Sequence, residues 1–112
     1  MEKEIWKRST LCKKHFVSNL GRVRDPNGNI VRPFLNKKKG YLRYIIEKKF
    51  IDGKRFISGH RIIITEFKDN PNNFKQINHI DGNKQNNRED NLEWISGSKN
   101  VIHSMENDLR KD

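Results

Sequence analysis

The chain has 112 residues, 32% of them hydrophobic and 34% charged, and its 24 Lys and Arg outnumber 14 Asp and Glu for a formal net charge of +10. That length allows one domain, or two small lobes sharing a thin core, and a field so one-signed points to nucleic acid or an anionic membrane. No apolar run approaches the length needed to cross a bilayer and no signal peptide is recognisable, so the expectation is a soluble cytoplasmic DNA or RNA binder, while the lone Cys12 excludes an intrachain disulfide and any multi-cysteine zinc site.

Residues 1–13 are charged around Ile5 and Trp6. Residues 15–19 and 21–24 read as short strands. Pro26-Asn27-Gly28-Asn29 reads as a turn, because Asn-Gly suits the positive φ of a tight hairpin. Residues 30–35 are the expected return strand, with Pro33 marking an edge. Residues 40–47 carry Tyr41, Tyr44, Ile45 and Ile46 and read as strand; Asp52-Gly53 is a second turn, and residues 55–58 return from it. The first half is thus expected to be a small, twisted antiparallel sheet.

The β-branched run after His60 favours strand by propensity. The spacing of Ile63, Ile64 and Phe67, punctuated by Gly59, predicts a short helix instead. Residues 70–73 read as loop, 75–79 as strand, 80–91 as a long loop and 92–95 as a second strand. Ser96 is placed to cap a helix over residues 97–109, and the last residues are expected to fray. On that helix Asn100, His103, Ser104 and Asn107 share one side, and Val101, Ile102, Met105 and Leu109 the other. The apolar side can pack on the strand pair, whose inner face includes Ile77 and Trp94.

Phosphodiester hydrolysis needs a base for water, a metal for the phosphate and leaving oxygen, and positive charge along the backbone. His79, at the end of an apolar strand, suits the base because an unperturbed imidazole is largely neutral near pH 7. An amide oxygen of Asn91 can accept its other N–H and fix the tautomer. Asn78 and Asn100 offer neutral oxygens to a hard cation such as Mg²⁺, and His103 is a third ligand or a phosphate contact. Asn83, Asn86 and Asn87 read as turn formers. Asp81-Gly82-Asn83 opens like a calcium loop, but Asn86 and Leu92 occupy that motif's glycine and closing-acid positions.

The segment from Asn78-His79-Ile80-Asp81-Gly82-Asn83-Lys84 through Asn86-Asn87 and Asn91-Leu92-Glu93-Trp94 to Lys99-Asn100 and His103 resembles the HNH endonucleases, specifically their homing-endonuclease-like phage and mobile-intron branch. That resemblance implies an α+β fold: a small N-terminal antiparallel β-sheet followed by a ββα-metal (His-Me finger) nuclease motif. It implies His79 as general base, Asn91 as orienter of that base or its loop, and Asn100 where a metal-binding His often stands. Asn78 stands where relatives often carry an Asp or His ligand, which leaves the signature without an inner carboxylate. Asp81 acting from behind the ligands, or His103 as a direct ligand, are the ways to make that good. The cofactor implied is one divalent metal per site, Mg²⁺ or alternatively Mn²⁺.

Upstream, Trp6 and the stretch Phe16 to Arg24 look like a module often fused in front of such nucleases, and Gly40-Tyr41, His60-Arg61 and Phe67 are similar to the connecting part. The organisation expected is residues 1–58 as a basic β module, 59–74 as connecting helix and loop, and 75–112 as the nuclease motif. Arg22, Arg24, Arg32, Lys37, Lys38, Lys39 and Arg43 are expected on double-stranded DNA, with His60 and Arg61 near the cut. A monomer of such an enzyme more naturally nicks and a two-fold dimer more naturally cuts both strands; the sequence is compatible with either. The competing expectations are a DNA-binding regulator whose nuclease centre has decayed, and an RNA-binding structural protein.

Overall fold

The computed structural model describes residues 3–45 and 56–96, so the expected C-terminal helix, the Asp52-Gly53 turn, Asn100 and His103 lie outside the described residues. Among the described residues three antiparallel sheets surround one helix. The first has the order β1(Trp6–Arg8), β2(Phe16–Ser18), β3(Val23–Arg24), β4(Ile30–Val31); the second β5(Phe34–Asn36), β6(Tyr41–Ile45), β7(Phe56–Ser58); the third is the pair β8(Gln76–His79), β9(Leu92–Ile95). Helix α1 spans Gly59–Phe67, and a 3₁₀ turn, Glu89–Asn91, leads into β9.

This is the expected α+β architecture, with one change. The expected strand at 30–35 is interrupted at Arg32-Pro33, and β4 and β5 enter different sheets. Proline has no N–H to give a ladder, so the chain leaves one sheet there and starts the next. The β3–β4 hairpin turns as its sequence requires. Gly28 sits at φ 89°, and the Asp25 carboxylate accepts the N–H groups of Asn27 and Asn29, both at 2.9 Å.

Helical spacing prevails over β propensity in α1 because the helix is enclosed. It packs against β2, β6, β7 and β9. Ile62, Ile63 and Ile64 are all fully buried and join Cys12, Val17, Val23, Tyr44, Ile57 and Leu92 in one core. Burying each such side chain contributes about 1.5–3 kcal/mol, more than the propensity differences at stake. Side-chain bonds fasten both neighbours to the end of α1. Glu66 Oε2 accepts from Thr10 N at 2.7 Å and from Thr10 Oγ1 at 2.6 Å; Lys68 Nζ donates to Leu92 O at 2.7 Å. The core therefore draws on all three sequence segments. Among the described residues no helix is long and apolar enough to cross a membrane.

Candidate active site

His79 closes β8, paired with Leu92 on β9. Leu92 belongs to the core, so the same register turns the imidazole inward, where it is 5% exposed. Its Nε2 lies 2.9 Å from Asn87 Oδ1. An amide oxygen only accepts, so this bond assigns the proton to Nε2 and leaves the lone pair on Nδ1. Two rings wall the imidazole. His60 stands edge-on at a centroid distance of 5.2 Å, Tyr41 lies at 5.8 Å, and these two are 4.8 Å from each other. Burial lowers the pKa of His79; the Asn87 bond and the Asp81 charge pull it back up, and Lys84 opposes them.

The sequence reading gave Asn91 to the second N–H of His79, and the resemblance gave it to that base or to its loop. The structure gives that place to Asn87, and Asn91 holds the loop instead. Its Oδ1 accepts from Asp81 N at 2.9 Å, and its Nδ2 donates to Asp81 Oδ1 and to Asn86 O, both at 2.9 Å. Asp81 Oδ1 also accepts from Asn83 N at 2.8 Å, while Oδ2 accepts from Asn86 Nδ2 at 2.9 Å. The hydrogen bond from Asn86 holds this carboxyl below its usual range, followed by that from the Asn83 backbone. Asp81 is thus committed to the loop through both oxygens. The amide-rich composition of residues 81–91 follows: short amides supply both donors and acceptors where little regular ladder exists.

Asn78 precedes His79 on β8 and, like it, is buried. It lies across from Glu93, and its Nδ2 donates to Glu93 Oε2 at 2.8 Å. Among the described residues no group of three or more His, Cys, Asp or Glu side chains is arranged to hold a metal. Asn78 and Glu93 together offer an amide and a carboxylate oxygen, a hard pair that suits Mg²⁺ or Mn²⁺ rather than a thiophilic ion.

Two glycines shape the space around Asn87. A Cβ on Gly59 would come within 2.5 Å of Asn87 Nδ2. Gly21, at φ +88°, presses on backbone: its Cβ would lie 2.8 Å from Asn87 C, 2.9 Å from Asn87 O and 3.1 Å from Arg88 N. Tyr44 Oη donates to Gly21 O at 3.3 Å, and Glu89 N donates to Asn19 O at 2.9 Å. The turn between β2 and β3 therefore backs the loop that holds His79.

The basic residues divide by environment. Lys37, Lys38 and Lys39 are exposed on the β5–β6 turn, beside Lys84, whose Nζ donates to Lys39 O at 3.1 Å. This turn leads into Tyr41, which touches His79. On the outer face of the first sheet Arg24 stacks over Trp6 at 4.3 Å and over Phe16 at 5.5 Å, and Arg22 Nε donates to Glu4 Oε2 at 2.9 Å. Arg32 is exposed. Arg43 covers Phe56 at 4.2 Å. Arg61 turns to Lys75 O at 3.1 Å and to the Trp94 ring at 5.8 Å. His60 differs from the rest: it is half-buried among rings, and its buried Nδ1 has no hydrogen-bond partner among the described residues.

Burial, reinforced by His79 and Arg61, pushes the pKa of His60 down to about 3. This has a consequence for stability. Above about pH 6.5 the group is neutral both folded and unfolded. Below that, the unfolded chain takes up a proton that the fold refuses, so stability falls from pH 6.5 towards 3. The expected loss is roughly 2 kcal/mol between pH 6.5 and 5. The depressed Asp81 carboxyl acts in the same direction at lower pH. Denaturant melts of wild type and His60→Phe check this, and equal pH slopes for the two proteins would refute it.

Asn87 and Glu93, which contact the candidate residues His79 and Asn78, are ones the sequence reading did not pick. Asn87 carries no distinguishing mark in a loop of identical amides. Glu93 had one: pairing Ile77 with Trp94 on the inner face sets Asn78 opposite Glu93.

The family model described as HNH endonuclease matches residues 59–102, from the start of α1 through the His79 loop and β9. Two uncharacterized HNH endonucleases of Acanthamoeba polyphaga mimivirus are similar to the chain, one 37% identical over 110 residues and the other 34% over 106. Each match takes in 95% of this chain but only 27% and 31% of those relatives, so the chain spans less than a third of their length. A solved structure of the HNH homing endonuclease I-HmuI, described for its DNA binding and cleavage, matches with a TM-score of 0.78 at 29% identity, covering 100% of this chain and 62% of that one.

Proposed function

We propose that this chain, an HNH homing-endonuclease-like protein in sequence and fold, hydrolyses phosphodiester bonds in double-stranded DNA with a divalent cation. The observation that carries the reading is the buried imidazole of His79, with Nε2 tied to Asn87 Oδ1. That bond reserves Nδ1 to take a proton from water, and burial keeps the ring neutral near pH 7. The deprotonated water oxygen forms the new bond to phosphorus as the bond to the leaving oxygen breaks.

Asn78 would hold the cation through its amide oxygen, with Asn100 as the partner implied by resemblance and His103 as a third ligand or a phosphate contact. A bound Mg²⁺ or Mn²⁺ supplies charge stabilisation to the phosphate and its leaving oxygen. Asn91 serves the reaction by holding Asp81 and so fixing where the loop begins. Lys37, Lys38, Lys39 and Lys84 sit beside the site and are suited to backbone phosphates, with Arg22, Arg24, Arg32 and Arg43 extending the positive surface. Arg61 and His60 are assigned to holding the site together rather than to a phosphate.

Supercoiled plasmid with a Mg²⁺ and Mn²⁺ series tests the proposal. Relaxed or linear product that vanishes in EDTA supports it. The neutral amide at Asn78 favours one rival, a DNA-binding regulator with a decayed centre; duplex binding with no cleavage under any divalent metal would establish that rival. Replacing Lys37, Lys38 and Lys39 together by alanine should reduce the slope of log affinity against log salt by about 2 to 3, since each phosphate contact contributes about 0.9. An unchanged slope would show that the β5–β6 turn faces away from DNA.

A further inference from the structure

A hard divalent ion bound only by amides is weakly held, and Mg²⁺ sites ordinarily include one or two carboxylates besides phosphate oxygens. The described residues offer few candidates. Asp81 has both oxygens engaged by Asn83, Asn86 and Asn91. Asp90 is exposed and lies 3.4 Å from the Arg88 guanidinium. Glu93 alone of these is in contact with a proposed ligand: its Oε2 accepts the Asn78 Nδ2–H at 2.8 Å, across a strand pair whose register sets the two residues opposite each other.

We infer that Glu93 is the carboxylate of the cation site, acting as a positioning residue through Asn78. The amide is planar, so a bond on Nδ2 also sets the direction of Oδ1. Donating that N–H to an anion shifts electron density towards Oδ1 and makes it a stronger ligand. Glu93 also brings a full negative charge to within one side chain of the ion, which Asn78 lacks. Asn78 is itself 7% exposed and Glu93 is half-buried, which limits the screening of that charge. The charge a ligating aspartate would carry is here displaced to the neighbouring strand. This inference rests on the hydrolytic reading above.

Glu93→Gln isolates the charge, because glutamine keeps an acceptor oxygen for Asn78 and nearly the same shape. The probe is Mn²⁺, titrated by electron paramagnetic resonance into the full chain bound to a short mixed-sequence duplex with a hydrolysis-resistant backbone. The expected result is a Kd for Mn²⁺ weakened roughly 10- to 100-fold, and a matching rise in the metal concentration for half-maximal plasmid cleavage. The melting temperature without metal and duplex affinity in EDTA should stay at wild-type values. In the double variant Asn78→Asp with Glu93→Gln the carboxylate returns to the ligand position, and Mn²⁺ affinity should recover to within a few-fold of wild type. Should Glu93→Gln not fold, the double variant decides: recovered affinity supports the inference, and affinity still down tenfold overturns it. An unchanged Mn²⁺ Kd in Glu93→Gln, from a wild-type chain that cleaves plasmid in Mg²⁺, overturns this inference alone. Cleavage that persists in EDTA removes the metal-dependent reading beneath it.

Discussion

Replacing His79 by alanine is expected to lower plasmid cleavage in Mg²⁺ by about 10²- to 10⁴-fold, the range supplied by a positioned general base. The loss should fall on the chemical step. His79 touches Asn87 and the rings of His60 and Tyr41 rather than the exposed lysines of the β5–β6 turn. Duplex affinity in EDTA should therefore hold within a few-fold. Asn87→Ala is the informative companion. It leaves the imidazole in place but removes the acceptor that keeps the proton on Nε2, so the base is present in a mixture of tautomers. A smaller loss, on the order of ten-fold, is expected, as for an outer partner that orients rather than reacts. Single-turnover cleavage measures both. An undiminished rate in His79→Ala would exclude it as the base; a full rate in Asn87→Ala would mean that the 2.9 Å bond does not set the tautomer.

The second large effect is expected far from the motif. Gly21→Ala should destabilise the fold by about 2–4 kcal/mol and reduce cleavage with it. Two costs combine at this position. The φ of +88° disfavours any side chain, and the added Cβ would meet Asn87 and Arg88 backbone atoms at 2.8–3.1 Å. Backbone cannot rotate aside as a side-chain tip can, so the strand-to-loop contact must open, carrying Asn87 away from His79. Gly28→Ala provides the control. Its φ is +89°, but nothing lies within 4 Å of the added atom, so only the conformational cost of about 1 kcal/mol is expected. Chemical denaturation of both variants, with cleavage rates under conditions where both are folded, separates the effects. Equal destabilisation would show that the Gly21 contact contributes nothing beyond its backbone angle.

Much of this molecule is legible in the chain alone. Helical spacing of Ile63, Ile64 and Phe67 locates α1 against β propensity, because three isoleucines in a row can all be buried only when the segment is surrounded. The Asp25–Asn29 turn follows from the φ range open to glycine and the reach of an aspartate. The strand that ends at His79 and the amide-rich loop after it are likewise where the residue pattern places them.

The sequence left other matters to the tertiary structure. Asn83, Asn86, Asn87 and Asn91 are chemically the same group, so no local rule says which one reaches His79. Gly59 and Gly21 settle it, one leaving room for the Asn87 amide and the other pressing on its backbone from a strand pair more than sixty residues upstream. Asn91 is drawn to Asp81 by the same competition. The partner of Asn78 lies between these extremes: register alone sets Glu93 opposite it, but only packing brings the two within hydrogen-bond distance. Spacing can place a residue on a face, because a strand repeats every two residues and a helix every 3.6. Which of several equal amides makes a contact depends on differences of an ångström between elements far apart in the chain, and no periodicity encodes them.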